Sequence, residues 1–200
     1  VRTILIGSGG LVTALLLPLL LIAALLGALP GAAGAAPGIG PVGDLAEPAA
    51  FADPSGDCTE PDPTGGRCLT PATRHLYDET IRIFGAPGPN APLRSIGCWD
   101  AHTWNPSSDH PRGRACDYFP AAAGTFPQGK ELANGWALAE WLRTHASALH
   151  VDYIIWQGRI WSPADPDLNS FGRPYTGGGV YNPTDATGGH YDHVHVSVSQ

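Results

Sequence analysis

Three of the eight histidines in this 200-residue chain, His190, His193 and His195, fall within six positions. Two of them belong to an alternating run, His193-Val194-His195-Val196-Ser197-Val198. In an extended chain successive side chains point to opposite faces. Val194, Val196 and Val198 then form one apolar face suited to a core, and His193, His195 and Ser197 share the other. Two imidazoles on one strand face offer a pair of nitrogen ligands or proton carriers. A second group, Ser108-Asp109-His110-Pro111-Arg112-Gly113-Arg114-Ala115-Cys116-Asp117, adds another imidazole and further carboxylates. Asp and His in a Pro/Gly turn are commonplace by themselves. Combined with the last strand, however, one imidazole and one carboxylate from this segment and one imidazole from the strand make a His/Asp/His set. Zinc takes nitrogen and oxygen ligands of these types and in catalytic sites keeps a fourth position for water. Ferrous iron also uses two histidines and a carboxylate. Its carboxylate commonly follows close behind the first histidine, and the seven-residue gap from His110 to Asp117 disfavours it.

The pattern Ser108-x-His110-x-x-Gly113-x-Ala115-x-Asp117 resembles the SxHxxGxAxD motif of zinc D-Ala-D-Ala peptidases at every defined position. His193-x-His195 is similar to the HxH pair of lysostaphin-type murein endopeptidases. Together, over roughly residues 90–200, they resemble the superfamily that also contains the hedgehog signalling domain. The resemblance implies one Zn2+ held by His110, Asp117 and His195, with Ser108 orienting the loop through hydrogen bonds. It also implies that Arg94, in Leu93-Arg94-Ser95, stabilises charge developing on the substrate. The activity implied is that of an exported zinc metallopeptidase cleaving peptidoglycan stem peptides or cross-links through a metal-activated water. The same fold allows a non-catalytic zinc-containing binding module, as the hedgehog domain illustrates, or a different metal-dependent hydrolase. One departure concerns the base. The D-Ala-D-Ala enzymes end in Glu-x-Trp-His with the Glu as base, whereas Asp192 and Val194 stand here. His193 is the base candidate of the other branch, and strand alternation favours it because it shares a face with His195. Asp192 falls out of phase and is expected to orient a neighbour.

Several elements must position these groups. Thr70-Pro71 reads as an N-cap followed by Pro at the first helical position, opening a helix to Phe84 that Gly85 and Pro87 end. Leu93–Trp99 and Ala115–Phe119 read as strands. Lys130–Leu149 reads as a helix with Leu138, Leu142, His145 and Leu149 on one face. Val151–Trp156 and Arg159–Trp161 form a predicted hairpin around Gln157-Gly158. Residues 162–189 are a long Gly/Pro/Asp/Asn loop, and His193–Val198 closes the chain as a strand. The non-alternating order predicts an α+β fold, a small antiparallel sheet flanked by helices, like that of the hedgehog and D-Ala-D-Ala peptidase domains. Trp136, Trp141 and Tyr153 are assigned to the core. Trp104, Trp161, Tyr175 and Tyr181 are assigned to a cleft, with His102 and His190 at its rim.

Residues 1–36 carry a short positive start, an apolar stretch and a small-residue Ala32–Ala36 segment, the pattern of a signal peptide or N-terminal anchor. The domain is therefore expected outside the cytoplasm, secreted or at the cell surface or wall. It would touch a membrane only through that segment if it stays uncleaved. Residues 37–66, rich in Pro, Gly and Ala, read as a linker, leaving 67–200 as the folded domain, expected to be a monomer. Four cysteines in an exported chain suggest two disulfides. Of the three connectivities, proximity in sequence favours Cys58–Cys68 and Cys98–Cys116. Eighteen acidic against eleven basic side chains, a net charge of -7 and a single lysine, Lys130, argue against a nucleic-acid partner.

Overall fold

The computed structural model describes residues 44–52, 56–165 and 171–199. The segment read as a signal peptide or anchor lies outside these residues. Helix α1 (Pro71–Phe84) begins as its sequence predicts: the Thr70 hydroxyl accepts the Thr73 N–H, Pro71 occupies the first turn, and Gly85 ends it at φ 82°. Strands β1 (Ser95–Gly97) and β2 (Ala115–Phe119) follow, then helix α2 (Gly129–Thr144), and the hairpin β3 (Val151–Trp156) with β4 (Arg159–Trp161). A two-residue β5 (Arg173–Pro174) lies inside the long loop, and β6 (Val194–Val198) ends the fold. Helix α2 stops earlier than its periodicity suggests. Past Thr144 the chain turns, with His150 at positive φ and the Val151 N–H bonded to the Ala146 carbonyl, so Leu149 is buried from a turn and not from a helix.

The six strands form one antiparallel sheet in the order β1-β2-β6-β3-β4-β5, which with the two helices makes an α+β fold. Alternation sorts the sheet into two faces. Tyr118, Ile154, Trp156, Val194, Val196 and Val198 pack with Leu76, Leu138, Trp141 and Leu142 of the helices in one core. Each large side chain taken from water there contributes about 1.5–3 kcal/mol. Helix α2 approaches closely at Gly135, where an added Cβ would stand 2.1 Å from the Trp156 ring. The opposite face carries Asp117, Tyr153, Ile155 and His195, and loops cover it.

The stretch read as a linker differs from that expectation where it is described. From Asp44 on it lies against the domain: Leu45 and Phe51 pack on the core. The Trp141 indole N–H donates to the Ala46 carbonyl at 3.1 Å, and Glu79 accepts the Ala49 N–H at 3.0 Å. Cys58–Cys68 and the Glu60–Leu69 bridge close a small loop beside α1. Its composition supplies few large apolar residues, but two well-placed ones suffice when the helices already present a surface to receive them.

Candidate metal centre

Strand register brings the two motifs together. Asp117 on β2 stands directly opposite His195 on β6, and β3 places Ile155 on the other side of His195. Cross-strand partners hold their Cβ atoms about 4.5–5.5 Å apart, so Asp117 Oδ1 reaches His195 Nδ1 at 2.8 Å. His110 arrives from a short 3-10 turn, His110–Arg112, between β1 and β2. Gly113 ends that turn at φ 67°, and a Cβ there would meet Cys58 Sγ at 2.4 Å. Both the backbone conformation and the space demand glycine. His110 Nε2 then lies 3.3 Å from Asp117 Oδ1 and 3.3 Å from His195 Nδ1.

Three ligand atoms within 4.8 Å of one another can hold one ion, and their chemistry agrees. His110 Nδ1 faces the Cys98 carbonyl, which can only accept, so Nδ1 carries a proton and Nε2 is the ring nitrogen that faces the other two ligand atoms. Ser197 Oγ donates to Asp109 Oδ2 at 3.0 Å and lies 3.1 Å from His195 Nε2. The proton of His195 is thereby placed on Nε2 and its lone pair on Nδ1. Asp109 in turn is bound by the Tyr153 hydroxyl at 2.9 Å, Arg112 at 3.2 Å and Arg114. Outer partners of this kind fix the tautomer and orientation of ligating histidines. The three residues could together hold one metal ion.

Next to this set, His193 Nδ1 is 2.6 Å from Asp192 Oδ1, and its Nε2 is 3.7 Å from Asp117 Oδ1. Asp192 is fully buried and also accepts from the Gly124 N–H at 2.6 Å and the Thr187 hydroxyl at 2.8 Å. The carboxylate thus holds His193 with Nε2 free beside the three ligand atoms. Burial favours the neutral forms throughout, but charge decides most of them. Against burial, the His110 and His193 charges hold the Asp117 carboxyl well below the usual range. Asp117 offsets burial at His110 and carries it up to about 9 in the metal-free protein. Burial lowers His193 less than Asp117 and Asp192 raise it. At His195 burial wins and the pKa falls. His190 is pushed well below its ordinary value by burial and by charge on His193 and His195.

A cleft of about 520 Å³ opens over these residues. His102 stacks on His110 with ring centroids 4.8 Å apart and planes within 4°, and Trp104 packs on His102. Asn105 donates to the Tyr181 hydroxyl at 3.1 Å, tying the two covering loops together. Of the residues singled out in the sequence, His110, Asp117, His193 and His195 line the cleft, as do Ser108, His102, His190, Trp104, Tyr175 and Tyr181. Ser108 Oγ accepts the His110 N–H at 3.3 Å.

Three assignments differ. Arg94 stands outside the cleft, 3.7 Å from Glu131 and lining a separate pocket with Lys130, because it precedes β1 on the side of α2. Trp161 is buried in the core, since β4 pairs it with Ile154. Tyr153 belongs to the site: its ring stacks on His195 at 5.4 Å and its hydroxyl holds Asp109. Alternation along β3 could have found it, since Ile154 and Trp156 in the core put Tyr153 and Ile155 on the opposite face. The disulfides are Cys58–Cys68 and Cys98–Cys116, as proximity predicts. The second is part of the site, for Cys98 supplies the carbonyl that holds His110 and Cys116 precedes Asp117.

Fold and site together define an α+β domain with a His/Asp/His cluster able to hold a metal ion at the floor of an open cleft. Residues 65–190 match the family described as VldE, C-terminal domain, and the chain belongs to that family. No curated protein and no solved structure matches it.

Proposed function

We propose that this domain is a zinc-dependent peptidase that acts outside the cytoplasm on the peptide part of peptidoglycan. The observation that carries the reading is the convergence of three potential ligand atoms, His110 Nε2, Asp117 Oδ1 and His195 Nδ1, beside a His193–Asp192 pair in an open cleft. The similarity of the Ser108–Asp117 and His193–His195 patterns to zinc D-Ala-D-Ala peptidases and lysostaphin-type enzymes supports the same class. So do the two disulfides, which are compatible with an oxidising compartment. Zinc bound by the three residues would supply a Lewis acid and make water nucleophilic near neutral pH. His193 takes the attacking water's proton at Nε2 and returns it to the leaving amine, while Asp192 holds Nδ1–H and keeps the ring aimed. With Arg94 outside the cleft, the donor to the scissile carbonyl in this reading is His190. Its Nδ1 has no hydrogen-bond partner among the described residues, and its ring centroid is 4.6 Å from that of His193.

The test is digestion of purified peptidoglycan by the zinc-loaded chain, with mass spectrometry of the released fragments and a chelated control. Peptide-bond cleavage that chelation abolishes and zinc restores is the expected result. Stoichiometric zinc with no cleaved bond would instead make the domain a zinc-containing binding module, and absence of stoichiometric zinc would remove the centre itself.

A further inference from the structure

Away from the metal cleft, a second cavity of about 320 Å³ opens at the start of α2, lined by Arg94, Lys130, Glu131 and Asn134. Its two cations are weakly engaged. Lys130, the single lysine of the chain, is exposed and has no ion-pair partner among the described residues. Arg94 has only Glu131, 3.7 Å away, with the two side chains 41% and 43% exposed. An exposed pair of that kind holds its members loosely. Between these cations lies the opening turn of a 16-residue helix whose N-cap residue, Gln128, makes no side-chain cap hydrogen bond. The first amides of a helix lack partners within it and carry partial positive charge, a combination that suits phosphate.

A third feature is buried. Asn134 is 3% exposed, and its Nδ2 donates to the Pro92 carbonyl at 3.1 Å, yet its Oδ1 has no hydrogen-bond partner among the described residues. Turning the amide over would set Oδ1 against that carbonyl, acceptor against acceptor, so the open position belongs to an acceptor. Buried polar atoms are nearly always paired, and this one borders the cavity and lacks a donor.

We infer that this cavity is a binding site for a small phosphate monoester that also carries a hydroxyl. The phosphate takes Arg94, Lys130 and the opening amides of α2, and the hydroxyl supplies the donor that Asn134 Oδ1 lacks. The guanidinium fork pairs with two phosphate oxygens while the ammonium acts as a point charge. Together with the helix amides they offer more donors than the two oxygens of a carboxylate can use. Glu131 is the one acidic side chain lining the cavity, and the dianion replaces it as the partner of Arg94. None of the residues lining this cavity lines the metal cleft, so the inference is independent of the peptidase reading.

The single lysine supplies a reporter. Reductive methylation of the full chain with ¹³C-formaldehyde labels Lys130 and the α-amine and keeps the lysine's charge. Glycerol 3-phosphate, methyl phosphate and acetate are then titrated at constant ionic strength. Glycerol 3-phosphate is expected to move the Lys130 methyl signal saturably and to leave that of the α-amine in place. Methyl phosphate, which lacks the hydroxyl, is expected to bind about threefold or more weakly, and acetate about tenfold or more weakly. In calorimetry with glycerol 3-phosphate, Arg94→Gln and Lys130→Gln should each weaken binding by about fivefold or more. Arg143→Gln, in the last turn of the same helix, should leave it unchanged. A Lys130 signal that does not move, equal binding of phosphate and acetate, or Arg94→Gln and Lys130→Gln variants that bind like Arg143→Gln would overturn the site. Equal binding of the two phosphates would overturn the assignment of a hydroxyl-bearing ligand.

Discussion

His193 and Asp192 are adjacent in the chain, yet the structure gives them different surroundings. The carboxylate is fully buried, engaged by Gly124 and Thr187 as well as by the imidazole, and does not line the cleft. The imidazole keeps Nε2 open toward Asp117. His193→Ala is therefore expected to keep zinc and lose roughly 10²–10⁴-fold in turnover, the usual loss for an acid–base group. Asp192→Asn, which misaims the base without deleting it, is expected to lose about 10–100-fold. Zinc content is to be measured on both, and a larger loss for Asp192→Asn with zinc in place would make Asp192 the base. Ser197 carries a second prediction. It is the group that sets the His195 tautomer, so Ser197→Ala should weaken zinc binding by about 10–100-fold. Tyr153→Phe should weaken it less, because Asp109 keeps Arg112 and Arg114. Equal losses in a zinc titration would contradict that order.

At the scale of elements, the Cys98–Cys116 disulfide ties β1 to β2 across 18 residues. Closing a loop of that size stabilises by about 3 kcal/mol in the chain-entropy model. The paired change Cys98→Ser, Cys116→Ser should cost about that much in denaturant unfolding, and should also lower zinc affinity, because the carbonyl holding His110 loses its anchor. Loss of stability with unchanged zinc affinity would separate the bridge from the site. The segment from Asp44 to Ala52 is held partly by Glu79. Hydrogen bonding from Arg82 keeps the Glu79 carboxyl below its ordinary pKa, burial opposes this, and the Ala49 N–H reinforces it. A carboxyl lowered on folding contributes stability above its unfolded pKa and loses it as pH falls through the folded value. The Phe51 ring signals in NMR should thus move toward unpacked values on acidification, and Glu79→Gln should flatten that response.

At the scale of the molecule, the site depends on a sheet packed on one face against two helices, with Gly135 of α2 set close against the Trp156 ring. Gly135→Ala adds helix propensity yet drives a methyl into the Trp156 ring, so a net loss of about 1–3 kcal/mol is expected in thermal or denaturant unfolding. A variant as stable as the parent would show that α2 does not pack there. The local features were legible in the chain: the Thr70-Pro71 start of α1, the Gln157-Gly158 hairpin, the valine and histidine faces of the last strand, and the disulfides between near neighbours. Each depends on residues a few positions apart, whose backbone preferences and side-chain alternation are properties of the segment itself. Tertiary structure decided the rest. Asp117 and His195 are 78 residues apart and meet only because β6 inserts between β2 and β3. That same strand order sets Tyr153, on the face alternation assigns it, beside the last strand and pairs Trp161 with Ile154 in the core, while the course of the chain into β1 carries Arg94 away. Such pairings are set by the burial of a whole sheet face against both helices, and no short window of sequence contains both partners.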